Sequence, residues 1–269
     1  QALAPVRLAW PEQFATRQPI AIDPARVGEQ VDARDRHGHV KANRRLSVVA
    51  QGVEGAVFGY YRHLVLSGDE RAESEWIELP LSHIACLTNH WDCGKKDADR
   101  ILLGMRELSG YRIQAEVDSD SSNYVRHHQR IPAIKPLRVG RLWDGEAVSL
   151  DEYERLRAKN DGKRTDHRCG VPVFKIHAWV ADQLRKQPTK VDRSRPVQIE
   201  PEVWRQLRRT SRAQLVYLEA TNRSAKVVHD DKVGEARRLD HYLADALVST
   251  RCGMTRRPGA SRREQNRVW

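Results

Sequence analysis

The spacing of apolar residues between Arg45 and Leu66 constrains the fold more than any other feature of this sequence. Apolar side chains recur there mostly at steps of three and four residues, at Leu46, Val49, Val53, Val57, Tyr60, Tyr61, Leu64 and Leu66. This period predicts an amphipathic helix, although Gly52, Gly55 and Gly59 weaken it. Aromatic residues make up only 6% of the chain, so we expect a mainly aliphatic core and disfavour a large β-sandwich.

Further elements follow this helix in a recognisable order. They are a strand at 76–79, a helix that begins at Pro80, a helix at 95–108, and a hairpin of strands 111–117 and 124–131. Proline suits the first turn of a helix, and the polar residues 118–123 suit the turn of the hairpin. The order is typical of a winged helix, a helix-turn-helix variant whose second turn-linked helix commonly enters the DNA major groove.

A second unit of similar plan is predicted after a connector. Its elements are a strand at 171–176, a helix at 177–184, a helix that begins near Glu200 and continues to about 218, and helices at 237–248 and from about Ser261. The connector carries one short helix, from Leu150 to about Ala158. No hairpin follows the last helix, so we interpret the second unit as C-terminally truncated.

The resulting domain prediction has four parts. They are an N-terminal arm at 1–44, a first winged-helix domain at 45–131, a connector at 132–170 and a second winged-helix domain at 171–269. The predicted fold class is therefore α+β, mainly α, with two winged-helix domains in tandem.

Positive charge is concentrated in the last third of the chain. Residues 185–269 hold 20 Lys and Arg against 10 Asp and Glu, whereas residues 1–184 hold 27 against 26. Most of the C-terminal cations are arginines, whose planar fork suits phosphate groups and guanine edges. This charge favours a nucleic-acid-binding surface; the alternative is a solvated basic face that only aids solubility.

The candidate DNA contacts fall into two groups. The C-terminal group lies on and before the predicted last helix and consists of Arg256, Arg257, Ser261, Arg262, Arg263, Asn266 and Arg267. The second group lies in the first unit and consists of Lys95, Lys96, Arg100 and Arg126. These residue types contact phosphates and read base edges.

Metal binding is disfavoured by the spacing of the available ligands. His83, Cys86, His90 and Cys93 share one stripe of a single predicted helix. The first and third ligands would then lie about 10 Å apart along the axis, so a tetrahedral zinc ion needs the helix to break near Asn89. Residues 37–39, His-Gly-His, are interpreted as a loop, and His167 and Cys169 as an exposed pair in a turn. No metal or cofactor is expected.

Catalysis and membrane insertion are also disfavoured. The sequence contains no phosphate-binding Gly-x-x-x-x-Gly-Lys-Ser/Thr loop, and Tyr60 and Tyr61, the candidates for a nicking nucleophile, fit better as core residues. No apolar run approaches the length of a membrane helix, and Gln1–Pro5 lacks the plan of a secretion signal. We expect a cytoplasmic protein with four reduced cysteines, associated with DNA and not with a membrane.

Three segments resemble the tandem winged-helix replication initiators of bacterial plasmids. They are Ile77–Leu81 before the first helix-turn-helix, Val173–Trp179 at the start of the second unit, and Leu215–Ala220 in its first helix. The resemblance implies binding to repeated sites in a replication origin, a switch between dimers and origin-binding monomers, and recruitment of the host initiator and helicase. A winged-helix transcription regulator is the alternative, because both roles require sequence-specific binding to double-stranded DNA.

Overall fold

The computed structural model describes residues 6–11, 27–35, 38–74, 76–88, 94–117, 125–127, 130–136, 147–159, 170–187, 195–207, 214, 217, 218 and 221. The helices of this part are α1 (Val48–Ser67), a 3-10 helix (Glu70–Glu73), α2 (Leu81–Thr88), α3 (Lys95–Ser109), α4 (Leu150–Lys159), α5 (Ala178–Arg185) and α6 (Pro201–Leu207). The strands are β1 (Leu8–Trp10), β2 (Val31–Asp35), β3 (Gly38–Ala42), β4 (Ile77–Glu78), β5 (Ile113–Val117), β6 (Val125–His127), β7 (Arg130–Pro136), β8 (Gly170–Lys175) and β9 (Val197–Ile199). The described chain is therefore mainly helical with small antiparallel sheets, which confirms the α+β, mainly α, class.

Helix α1 is the centre of the core. Its ends are fixed locally, because the Ser47 side chain accepts a hydrogen bond from the Ala50 amide and Gly68 closes the helix in a left-handed conformation at φ 68°. Nearly all residues of its first three turns are buried. It contacts β1, α2, α3 and α5, so the helix predicted from the apolar spacing is confirmed and is enclosed by neighbours on several sides.

Two glycines of α1 allow β1 to approach the helix closely. A Cβ at Gly55 would lie 2.1 Å from the Trp10 ring, and a Cβ at Gly59 would lie 1.8 Å from the main-chain oxygen of Arg7. The residues that weaken the helix in isolation therefore admit β1 against its surface. Trp10 in turn packs on Trp204 of α6, with ring centroids 5.4 Å apart.

The described strands form three antiparallel sheets. β1 pairs with β9, four strands pair in the order β2-β3-β5-β6, and three strands pair in the order β4-β8-β7. The predicted hairpin at 111–131 is present as β5 and β6. Its β5 also pairs with β3, so the hairpin joins a sheet with strands of the N-terminal segment.

Two expectations about the N-terminal segment and the connector are corrected by these pairings. Residues 1–44 are not only a loop-like arm, because β1 is fully buried and β2 and β3 form a hairpin. Gly38 and His39 lie in a strand and not in the predicted loop. Within the predicted connector, β7 is a strand of the three-stranded sheet, whereas the predicted helix at 150–158 is confirmed as α4.

The strand β8 and the helix α5 are present as predicted, but they pack on the first unit. β8 lies between β4 and β7 in the sheet, and α5 contacts α1. Buried Arg62 of α1 donates hydrogen bonds to the main-chain oxygens of Leu184 and Lys186, which ties the end of α5 to the core. The division into domains and the tandem winged-helix arrangement remain predictions, and the helices predicted at 237–248 and beyond Ser261 lie outside the described residues.

Candidate nucleic-acid interface

Helix α3 presents two chemically different faces. Ala98, Ile101, Leu102, Met105 and Leu108 are buried against the core. The opposite face is exposed to solvent and carries Lys95, Lys96, Asp99, Arg100, Leu103 and Arg106. This separation follows from the 3.6-residue period of the helix, and it leaves a continuous charged face along the length of α3.

Two contacts fix the rotation of α3 about its own axis. The carboxylate of Glu107 accepts hydrogen bonds from both the amide and the hydroxyl of Ser47, each at 2.9 Å. A Cβ at Gly104 would lie 3.2 Å from the main chain of Ala50, so the two helices cross closely there. Because Ser47 is also the N-cap of α1, the exposed face of α3 is held in a defined direction relative to the core.

Helix α4 covers one edge of this exposed face through ion pairs. Arg106 lies 2.8 Å from Asp151 and 2.7 Å from Glu154, while Asp99 lies 2.9 Å from Arg157. All of these distances join side-chain nitrogens to carboxylate oxygens. Asp151 and Glu154 of α4 therefore neutralise Arg106, near the end of α3. Arg157, in the last turn of α4, neutralises Asp99, near the start of α3.

The rest of the exposed face is open. Lys96 and Arg100 form no ion pair with any acidic side chain in the part of the chain that the structure describes. Leu103 lies on the same side of the helix, seven residues after Lys96 and three residues after Arg100, and is 59% exposed. The open part of the face therefore combines one large apolar side chain with two cations that have no acidic partner among the described residues.

The structure places three of the four predicted DNA contacts of the first unit on one helix. Lys95, Lys96 and Arg100 lie on α3, and all three are exposed. Arg126 lies in β6, and its side chain is outside the described set. Arg256, Arg257, Ser261, Arg262, Arg263, Asn266 and Arg267 lie outside the described residues.

Sequence reasoning missed the ion pairs with α4 and the exposure of Leu103. The ion pairs join residues 45 to 58 positions apart, and no local spacing reveals such partners. Leu103 could have been found, because it falls outside the stripe formed by the other apolar residues of α3.

The other candidate sites are only partly described. His83 is exposed and Cys86 is half-buried on α2, whereas His90 and Cys93 lie outside the described residues. Among the residues that are described, no group of three or more His, Cys, Asp or Glu side chains could hold a metal ion. The expectation that this segment binds no zinc therefore stays a prediction.

A cleft of about 500 Å³ lies between α1, α2, Val6 and the start of α6. Its floor is apolar, and its rim includes Arg71 and Arg205, which pair with Asp69 and Glu202 respectively. These cations are already neutralised, so the cleft offers no free charge from either of them. None of the described helices is both long and apolar enough to cross a membrane.

Comparison with known proteins finds similarity to a solved structure. No protein-family model and no curated protein matches this chain. The chain is similar to a crystal structure described as selenomethionine derivatives of domains 2 and 3 of RctB. The similarity covers 87% of this chain and 83% of that chain, at 12% sequence identity and a TM-score of 0.45.

Proposed function

We propose that this chain is a sequence-specific double-stranded DNA-binding protein that initiates replication at repeated origin sites, and that α3 is its major-groove helix. The observation that carries the proposal is the open face of α3, where Lys96 and Arg100 are exposed and unpaired among the described residues. A helix with such a face fits the major groove, which is wide enough to admit it.

The strand order supports a winged-helix unit within residues 48–175. The chain runs through α1, β4, α2 and α3 before the strands β7 and β8, and the sheet order β4-β8-β7 inserts the last strand between the other two. Three helices closed by a sheet of this order are typical of winged helices. In this proposal the strands of the wing are β7 and β8, not the β5–β6 hairpin that the sequence suggests.

The charge of the chain supports a polyanionic partner. The net charge is +11 with a sequence pI of about 9.7. Such an excess speeds association with DNA and supplies the salt-dependent part of affinity. The arginine-rich C-terminal residues, among them Arg262, Arg263 and Asn266, are proposed as a second set of contacts.

The resemblance to plasmid initiators favours initiation over regulation. Ile77–Leu81 spans β4 and the start of α2, and Val173–Trp179 spans the end of β8 and the start of α5. One of these segments therefore lies inside the proposed winged-helix unit, between α1 and α2, and the other lies at its C-terminal end. A homodimer and host replication proteins are proposed as further partners in the cytoplasm, and a transcription regulator of the same architecture is the second candidate.

The proposal includes no catalytic step. Tyr61 is 2% exposed, and burial raises the pKa of its hydroxyl above the usual value. The Tyr60 hydroxyl accepts a hydrogen bond from Arg71 at 3.1 Å. A buried phenol with a raised pKa is poorly placed to attack a phosphodiester, which disfavours a tyrosine nicking or recombining enzyme.

Nuclease footprinting on the DNA that flanks the gene, at two salt concentrations, tests the proposal. Protection at regularly spaced direct repeats that survives the higher salt is expected for an initiator, whereas one operator-like site would favour a regulator. Diffuse binding that disappears with salt would refute sequence-specific recognition.

Substitutions on the exposed face of α3 test whether this face makes the contacts seen in the footprint. Lys96→Ala and Arg100→Ala should each weaken specific binding by about 1–3 kcal/mol if they read bases, or reduce the salt slope by about one if they contact phosphate. The matched control is Arg71→Ala, an exposed cation beyond the opposite end of α1, which should leave binding unchanged. Equal losses for all three variants would contradict the assignment of α3.

A further inference from the structure

Leu103 is the most exposed large apolar side chain among the described residues. It is 59% exposed, compared with 51% for Leu66 and 45% for Val27. The buried residues of α3 all lie on the other side of the helix. Leu103 therefore contributes little to the core, and its position in the middle of a charged face has no packing explanation in the described structure.

The neighbours of Leu103 define what can approach it. Lys96 and Arg100 lie on one side of it around the helix axis, while Asp99 and Arg106 lie on the other side and form ion pairs with α4. An apolar protein surface would have to desolvate these two cations, which have no ion-pair partner among the described residues, in order to reach Leu103, and this is costly. A DNA groove instead offers phosphates and base acceptors to the cations, together with an apolar group beside them.

We propose that Leu103 is a specificity-determining residue that contacts the C5-methyl group of a thymine in the major groove. This inference rests on the proposed function, because it requires α3 to enter that groove. The thymine methyl is the one apolar group that base pairs of unmodified DNA present there, and apolar side chains read it by contact. Removal of one methyl-sized contact of this kind weakens binding by about three- to tenfold.

The helix geometry also restricts where this thymine lies. Arg100 and Leu103 are three residues apart, which is about 4.5 Å along the axis at 1.5 Å per residue. Their side chains lie on the same face, and this rise is comparable to the roughly 3.4 Å that separates neighbouring base pairs. The thymine is therefore expected within one or two base pairs of the position that Arg100 contacts.

Replacement of thymine by deoxyuridine tests the contact, because it removes only the methyl group. In the site found by footprinting, each thymine is replaced singly, and the dissociation constant is measured for the full chain and for Leu103→Ala. We expect one thymine whose replacement weakens binding by the full chain about three- to tenfold and leaves binding by Leu103→Ala unchanged. Leu66→Ala, which removes another exposed leucine, should keep the sensitivity of the unaltered protein, and circular dichroism checks that both variants fold.

Two outcomes would overturn the inference while leaving the proposed function intact. In the first, the full chain binds a defined site, but no thymine loses its effect in Leu103→Ala. In the second, Leu103→Ala changes self-association in sedimentation experiments and leaves the deoxyuridine profile unchanged, which would make Leu103 part of a protein interface. Absence of any specific site for the full chain would instead refute the proposed function itself.

Discussion

Gly59→Ala should strongly destabilise the protein, because it places a methyl group where the main chain of β1 lies. The new Cβ would be 1.8 Å from the Arg7 oxygen, a distance at which backbone must move. Leu8 and Trp10 next to this contact are fully buried. If β1 leaves α1, the lost burial of two large side chains costs about 3–6 kcal/mol. Alanine is more favourable than glycine inside a helix by about 1 kcal/mol. The free energy of unfolding is therefore expected to fall by about 2–5 kcal/mol in total.

Gly52→Ala is the matched control in the same helix. A Cβ at Gly52 would lie 3.4 Å from the Trp204 ring nitrogen and 3.5 Å from Thr88, which is ordinary contact. This variant should therefore gain about 0.5–1 kcal/mol from helix propensity.

Urea denaturation, followed by tryptophan fluorescence and circular dichroism, measures both variants. The packed pair of Trp10 and Trp204 should report the displacement of β1 through altered fluorescence of the folded state. Free energies of unfolding for the two variants that agree within about 0.5 kcal/mol would refute the argument that Gly59 is required for the docking of β1.

Two further predictions concern electrostatics. Neutralisation of both partners of Arg106 by Asp151→Asn and Glu154→Gln should free this cation for phosphate and steepen the salt dependence of binding to random duplex DNA by about one in slope. Fluorescence anisotropy at several salt concentrations measures this slope, and the gain should vanish in an Arg106→Ala background; a gain that persists there would show that Arg106 is not the group released. Burial raises the pKa of the Tyr111 hydroxyl well above its ordinary value of 10.0, so the folded protein keeps a proton that the unfolded chain releases. Stability is therefore complete below pH of about 10 and falls as the pH rises above it. Tyr111→Phe should reduce this loss in urea denaturation between pH 9 and 11, and identical pH profiles would contradict the prediction.

The spacing of apolar residues predicted the long helices, because the residues that a helix buries recur every three or four positions along the sequence. The buried stripe of α3 from Ala98 to Leu108 repeats at helical spacing. The exposure of Lys96 and Arg100 follows from the same pattern, since residues outside the apolar stripe face solvent.

The short strands could not be predicted in this way. β1 is buried at all three residues, so it shows no alternation, and its partner β9 lies almost 190 positions along the chain. β7 contains Pro132 and Pro136, which favoured a connector. It lies at the edge of its sheet, where proline is tolerated because an edge strand need not use every amide.

The sheet order also determines when this protein can finish folding during synthesis. β4 and β7 leave the ribosome well before β8, yet β8 is the strand that joins them. β1 is synthesised long before its partner β9, so it stays unpaired until Val197–Ile199 have left the ribosome. A nascent chain that ends at residue 131 would expose the face of α1 that α5 covers and would hold neither strand of the β7–β8 pair in full. Such a fragment presents unpaired strand edges and apolar surface, the properties that make incomplete chains dependent on chaperones.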